Sequence, residues 1–177
     1  METSTDTRTP SQIARELFRI LFDERDLSDP YRLWSDNSVD HFLAAGRSVR
    51  GAPALAQFFG ELFAAAPDYR MEIVNAFDDG DRQATVQWHG TGTLTGAPFL
   101  GIEANGRSID IQGVDVIRFG PDGKIEENTV YYDGAEFARQ LGMRPARDSA
   151  ADRMTLAAFN AKTRLERRVR GQAAPSA

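Results

Sequence analysis

The feature that most constrains this chain is a change of hydrophobic period about one third of the way along it. Before that point apolar residues recur at helical spacing; after it they alternate as in strands. Thr9 and Pro10 read as an N-cap followed by proline at the first helical position. Ile13, Leu17, Ile20 and Leu21, with Phe18 beside them, continue that helix to about Phe22. Asp29 and Pro30 repeat the start signal for a short helix carrying Leu33 and Trp34. After Gly51 a third helix presents Leu55, Phe58, Phe59, Leu62 and Phe63, and Pro67 stops it. Residues 69–77, 82–95, 107–119 and 124–132 then read as strands of a meander, with a further short strand at 39–43. Gly120, Pro121, Asp122 and Gly123 join the last two strands as a hairpin. Helices followed by an antiparallel meander predict an α+β fold whose helices cover one concave face of the sheet.

The 177 residues suit one domain with a real core and leave little room for a second. Three spans are expected: a flexible terminus at 1–10, the main domain at 11–142, and a helical extension at 143–177. Within the last, 148–170 has helical composition and 171–177 should fray. Asp133 is placed to cap a helix over 134–141 that Gly142 ends. The net charge of -5 argues against a nucleic-acid partner, which calls for a basic face. No cysteine is present, which removes disulfides, thiolate nucleophiles and sulfur-ligated metals together. The longest apolar stretch, from Phe58 to Ala66, is broken by Gly60 and Glu61, so no membrane partner is expected. The polar N-terminus lacks the apolar core of a signal, which leaves a cytoplasmic location as the expectation.

Residues 107–119 are the most informative for chemistry. Strand alternation puts Ile109, Ile111, Gly113, Asp115, Ile117 and Phe119 on one face, where Asp115 is the one charged group. A carboxylate there must be paired, open to a cavity or protonated, because burying the bare charge costs several kcal/mol. A structural carboxylate bonded to nearby backbone or hydroxyl groups fits the pattern equally. His41, in the short strand after Asp40, is the second candidate, and it gains weight only in combination with Asp115. His89 falls on the face opposite Ala84, Val86 and Trp88 and is weaker. Asn128, Val130 and Tyr132 share one parity and are expected to face inward, with Tyr131 outward. Trp88 and Phe18 suit a pocket wall or plain core. With two histidines and no cysteine, no metal site is predicted.

Several segments carry a resemblance. They are Val49-Arg50-Gly51-Ala52 before a helix, Gly92-Thr93-Leu94-Thr95-Gly96, and Phe99-Leu100-Gly101-Ile102 followed by Asn105-Gly106. Gly113 through Phe119, leading to Gly123-Lys124-Ile125, completes the set. In this order and spacing, from about Ser11 to Gly142, the chain resembles SnoaL-like polyketide cyclases within the nuclear-transport-factor-2-like (NTF2-like) superfamily. That resemblance implies a cone: a curved, mostly antiparallel sheet wrapped around N-terminal helices and an apolar pocket, here with an added C-terminal helix. The segment around Asp115 is also similar to the one that holds the protonated oxyanion-hole aspartate of ketosteroid isomerases. His41 falls where those enzymes place their carboxylate base. The resemblance thus implies His41 as base and Asp115 as acid, with Phe18, Trp88, Asn128, Val130 and Tyr132 lining the substrate site. Three positions depart from it: Phe18 stands where the isomerase has a tyrosine, Val130 where SnoaL-type cyclases have an aspartate, and Leu94 where a histidine is common. The expected activity is a cyclase or isomerase that needs no cofactor and acts on a small apolar polyketide-like or terpenoid-like metabolite. A noncatalytic ligand-binding or assembly protein is the alternative. Relatives often dimerise through the outer sheet face, so a homodimer is expected.

Overall fold

The structure, a computed structural model, describes residues 8–172. Helix α1 (Pro10–Phe18) begins with a reciprocal cap, in which Thr9 accepts from the Gln12 backbone and Gln12 accepts from that of Thr9. Pro10 is already buried in this helix, so ordered structure starts before the expected boundary at residue 11; residues 1–7 lie outside the described residues. The helix widens into a π turn at Arg19–Asp23 that keeps Ile20, Leu21 and Phe22 in the core. In place of the expected short helix carrying Leu33 and Trp34, a single 3-10 turn, Pro30–Arg32, delivers Trp34 as the first residue of a strand. That strand, β1 (Trp34–Phe42), is longer than the 39–43 expected and turns back to an edge strand, β2 (Arg47–Arg50), which alternation did not reveal. Helix α2 (Ala52–Ala65) follows, burying Leu55, Phe58 and Phe59.

The remaining strands lie where alternation puts them: β3 (Arg70–Asp78), β4 (Gln83–Thr93), β5 (Ser108–Phe119) and β6 (Ile125–Tyr132). They form one curved six-stranded sheet in the order β2-β1-β6-β5-β4-β3, antiparallel throughout except where β1 runs parallel to β6. This is the α+β cone anticipated, with α1 and α2 filling the concave face. Aromatic side chains interlock there, Phe22 of the π turn against Phe59 of α2, and Trp34 of β1 stacked on Phe59 at 5.7 Å.

Two irregularities set which side chains face inward. On β6, Phe119 pairs with Ile125 but Arg118 with Glu127, so Glu126 is an extra residue and the parity resets. Ile125 and then Asn128 and Val130 are therefore all buried. On β1 the register slips between Trp34 and Val39, and Trp34, Ser38, Asp40 and Phe42 take the inner side.

Asp133 caps α3 (Gly134–Gln140) through the backbone N–H groups of Ala135 and Glu136. Gln140 locks this helix to β5 by accepting from the Asp110 N–H and donating to the Asp110 carbonyl. The last helix, α4 (Ala150–Gln172), includes Gly171 and Gln172, which were expected to fray; residues 173–177 lie outside the described residues. No helix among the described residues is long and apolar enough to cross a membrane.

Candidate functional site

The inner face of the sheet carries one row of polar side chains across four adjacent strands: Asp40 on β1, Asn128 on β6, Asp115 on β5 and Trp88 on β4. Asp115 sits where the alternation of β5 places it, among Gly113, Ile117 and Phe119. One of its oxygens accepts the Trp88 indole N–H at 2.7 Å, and the other accepts the Asn128 amide at 3.0 Å. The Asn128 amide also lies 3.5 Å from Asp40, so it bridges the two carboxyl groups. Trp88 can lie flat against β5 because its neighbour there is Gly113. A Cβ at that position would come within 2.2 Å of the indole.

Burial governs the protonation of this pair. Asp115 is raised to about 6 by desolvation, which the hydrogen bonds from Asn128 and Trp88 partly oppose because they favour its ionised form. Asp40 is pushed well above the ordinary carboxylate range, by burial first and by the neighbouring Asp115 charge second. Burial thus favours the protonated form of both carboxyl groups relative to an exposed one. Trp34 Nε1, Ser38 Oγ, Asp40 Oδ1 and Asn128 Oδ1 are buried without hydrogen-bond partners among the described residues. A neutral Asp40 reduces the cost of that arrangement.

His41 is not part of the row. Adjacent strand residues point to opposite faces, and Asp40 takes the inner one. The imidazole lies outside, with Nδ1 2.7 Å from Ser48 Oγ and Nε2 3.7 Å from Glu127. The expected meeting of His41 and Asp115 on one cavity is thus corrected: Asp40 occupies the interior beside Asp115. The sequence held a signal for this, since Asp40 shares its parity with Phe42. His89 also faces outward, against Asp110.

The other expected residues face the interior but divide between two adjoining spaces. Phe18 and Asn128, with Asp40, Asp115, Trp34 and Phe59, line a small cavity of about 20 Å³ under α1, large enough for one water molecule. Trp88, Val130 and Tyr132 line a separate apolar pocket of about 80 Å³ with Phe58, Phe59 and Phe99. Phe59 borders both, and Trp88 lines the pocket while its N–H reaches the carboxylate side. The pocket leads past Ala45, Leu100, Tyr132 and Phe137 to a wide mouth between α3 and residues 98–102. Tyr69, which sequence reasoning passed over as a strand start, is also in its wall. Among the described residues, no group of three or more His, Asp or Glu side chains is placed to hold a metal ion.

Comparison with known proteins places this geometry. A sequence model of the SnoaL-like polyketide cyclase family matches residues 12–141. No curated protein matches. Among solved structures, a proposed SnoaL-like polyketide cyclase from Jannaschia sp. CCS1 superposes with a TM-score of 0.65 at 20% identity, covering 79% of this chain and 99% of the other. AclR, a proposed hydroxylase from Streptomyces galilaeus, superposes at 0.64 with 18% identity over 94% of this chain and 98% of the other. IdmH, a proposed polyketide cyclase from Streptomyces antibioticus, gives 0.61 at 22% identity over 76% and 99%. At these identities the superpositions establish a shared fold and nothing finer.

Proposed function

We propose, because the chain belongs to the SnoaL-like polyketide cyclase family, that it is a cyclase or isomerase working by proton transfer between its own side chains and a small apolar metabolite. The metabolite would be polyketide-like or terpenoid-like, and the setting natural-product biosynthesis in the cytoplasm. The observation that carries this reading is the Asp40–Asn128–Asp115 row, two buried carboxyl groups held by one amide behind the wall of an apolar pocket. In the proposed mechanism the ionised Asp115 accepts a proton from a carbon next to a carbonyl and, as the acid so formed, returns it to the resulting enolate, while Asn128 and neutral Asp40 hold Asp115 in place. The reacting carbon would sit at the Phe59 end of the pocket, where the two spaces adjoin. Positioned acid–base groups of this kind supply roughly 10²–10⁴-fold in rate. His41 is assigned no proton transfer, because its imidazole is on the outer face.

The test is exchange of the protons next to the carbonyl of 2-tetralone, a bicyclic aromatic ketone, followed by NMR in deuterated water. The chain should accelerate exchange, Asp115→Asn should lose roughly a hundredfold or more, and His41→Ala should stay within about twofold. Unchanged exchange in both Asp115→Asn and Asp40→Asn would overturn the mechanism. The binding-protein reading has one observation in its favour: no charged side chain lines the apolar pocket itself. Saturable binding of 2-tetralone with no exchange would decide for it. A homodimer through the outer sheet face belongs to the same proposal, supported by the exposed Val74, Phe77 and Tyr131. Sedimentation of the full chain tests it.

A further inference from the structure

The apolar pocket contains a polar atom that the carboxylate pair leaves unexplained. Tyr69 stands between α2 and β3 with its side chain in the pocket wall, and the residue is 5% exposed. Its backbone is fixed from two sides. The Tyr69 N–H donates to the Ala66 carbonyl at 2.9 Å, and Arg25 donates to the Tyr69 carbonyl at 2.7 Å. Arg25 reaches this position from a left-handed backbone conformation, φ 53°, while its guanidinium lies over the Phe63 ring at 4.8 Å. Strain in a non-glycine residue persists where the surrounding contacts over-determine it.

The sheet is also cut away to receive the ring. Position 92 would put a Cβ 3.1 Å from Tyr69 Cα and Cδ2, and position 90 would put one 2.7 Å from the Tyr69 hydroxyl; both are glycine. Two consecutive inward positions of β4 are thus bare along the side of this tyrosine. The hydroxyl makes no hydrogen bond among the described residues, and the atom is not sealed off in the wall of the pocket. A phenol set in an apolar wall ordinarily has one. Apart from Tyr132 nearer the mouth, every other lining side chain is apolar or, in the case of Trp88, has its N–H committed to Asp115.

We propose that Tyr69 is the residue that binds an oxygen of the ligand, its hydroxyl donating to a ketone, phenol or enolate oxygen carried on an otherwise apolar ring system. This rests on the reading of the pocket as the ligand site and names the chemical class that site accepts. Burial pushes the phenol's pKa up, with Asp115 and Tyr132 adding to the effect, so the hydroxyl keeps its proton and serves as a donor. The donor stands on the pocket side of Trp88 and supplies what Phe18, which has no hydroxyl, cannot. A ketone oxygen held there stabilises the enolate that forms when the neighbouring carboxylate deprotonates the carbon next to the carbonyl.

Phenol and toluene test the assignment, since they have nearly the same shape and differ in one hydroxyl. Their binding to the full chain and to Tyr69→Phe is measured by NMR titration. The variant should lose about tenfold in phenol affinity, the worth of one hydrogen bond in a buried site, and change by less than twofold for toluene. Because the hydroxyl makes no bond to the protein, the variant should fold as the parent does. Equal phenol affinity in the two proteins overturns the role of Tyr69, as does a loss seen in Tyr132→Phe and not in Tyr69→Phe. Failure of toluene to bind either protein instead overturns the reading of the pocket, and the role of Tyr69 with it.

Discussion

Asp115 accepts an N–H donor on each oxygen, yet burial holds its carboxyl at about 6 against an ordinary 3.8. Between those values the folded chain binds a proton that the unfolded chain has released. Raising the pH from about 4 to 7 therefore subtracts stability through this residue, on the order of 3 kcal/mol. Asparagine at 115 keeps the shape and cannot ionise. The unfolding free energy of Asp115→Asn, relative to the parent, should accordingly rise by about that amount from pH 4 to 7 in urea titrations. The exposed carboxylates cancel in this difference and Asp40, relieved of the Asp115 charge, adds to the rise, so a flat difference would mean that Asp115 is not held in the protonated form the fold favours. Asp115 was legible in the sequence because a single charge on an otherwise apolar strand face stands out by parity alone. Asp40 was less so, because its parity with Phe42 is the one signal in a strand with little other apolar alternation, and the neighbouring His41 drew the assignment by resemblance.

At the scale of elements, what alternation made visible was the regular part of the sheet. β4 and β5 follow a strict period of two, β3 breaks it once between Ile73 and Asn75, and the bounds of all three fall within two residues of those expected. The irregular part flanks the site: the extra residue Glu126 on β6 lets Ile125 and Asn128 both face inward, and the slip on β1 falls between Trp34 and Val39, and neither irregularity is visible in a hydrophobic pattern. Tyr69 escaped notice for a related reason. Its signal is not in its own segment but in Gly90 and Gly92 across the sheet, where side chains are missing. Gly113 does the same for Trp88. Adding a methyl group there sets it 2.2 Å from the indole and 2.6 Å from the Tyr131 carbonyl, and the second contact is backbone that cannot turn aside. Gly113→Ala should cost about 1–3 kcal/mol as overpacking and break the Trp88 bond to Asp115. Thermal unfolding reads the first effect and the tryptophan indole N–H resonance the second; an unshifted resonance would show that the sheet can open without moving Trp88.

The whole molecule divides into a body that buries its apolar residues and a helix that does not. Every residue of the core belongs to the chain before Gly142. On α4, Met154, Leu156, Phe159, Leu165 and Val169 are each more than half exposed, and among the described residues no hydrogen bond ties the helix to the body. The last ties to the body are the ion pairs of Arg147 with Asp133 and Glu136, just before the helix begins. Stability that comes from burial must then be indifferent to α4. A chain ending at Arg147 keeps those ion pairs and the whole core, and its thermal midpoint should lie within about 2 °C of the parent, less than 1 kcal/mol at this size. Far-ultraviolet circular dichroism should lose the contribution of α4 (23 residues) over the same comparison. A drop of more than about 6 °C would mean that the exposed apolar side chains of α4 are covered in solution, by the body or by a second copy.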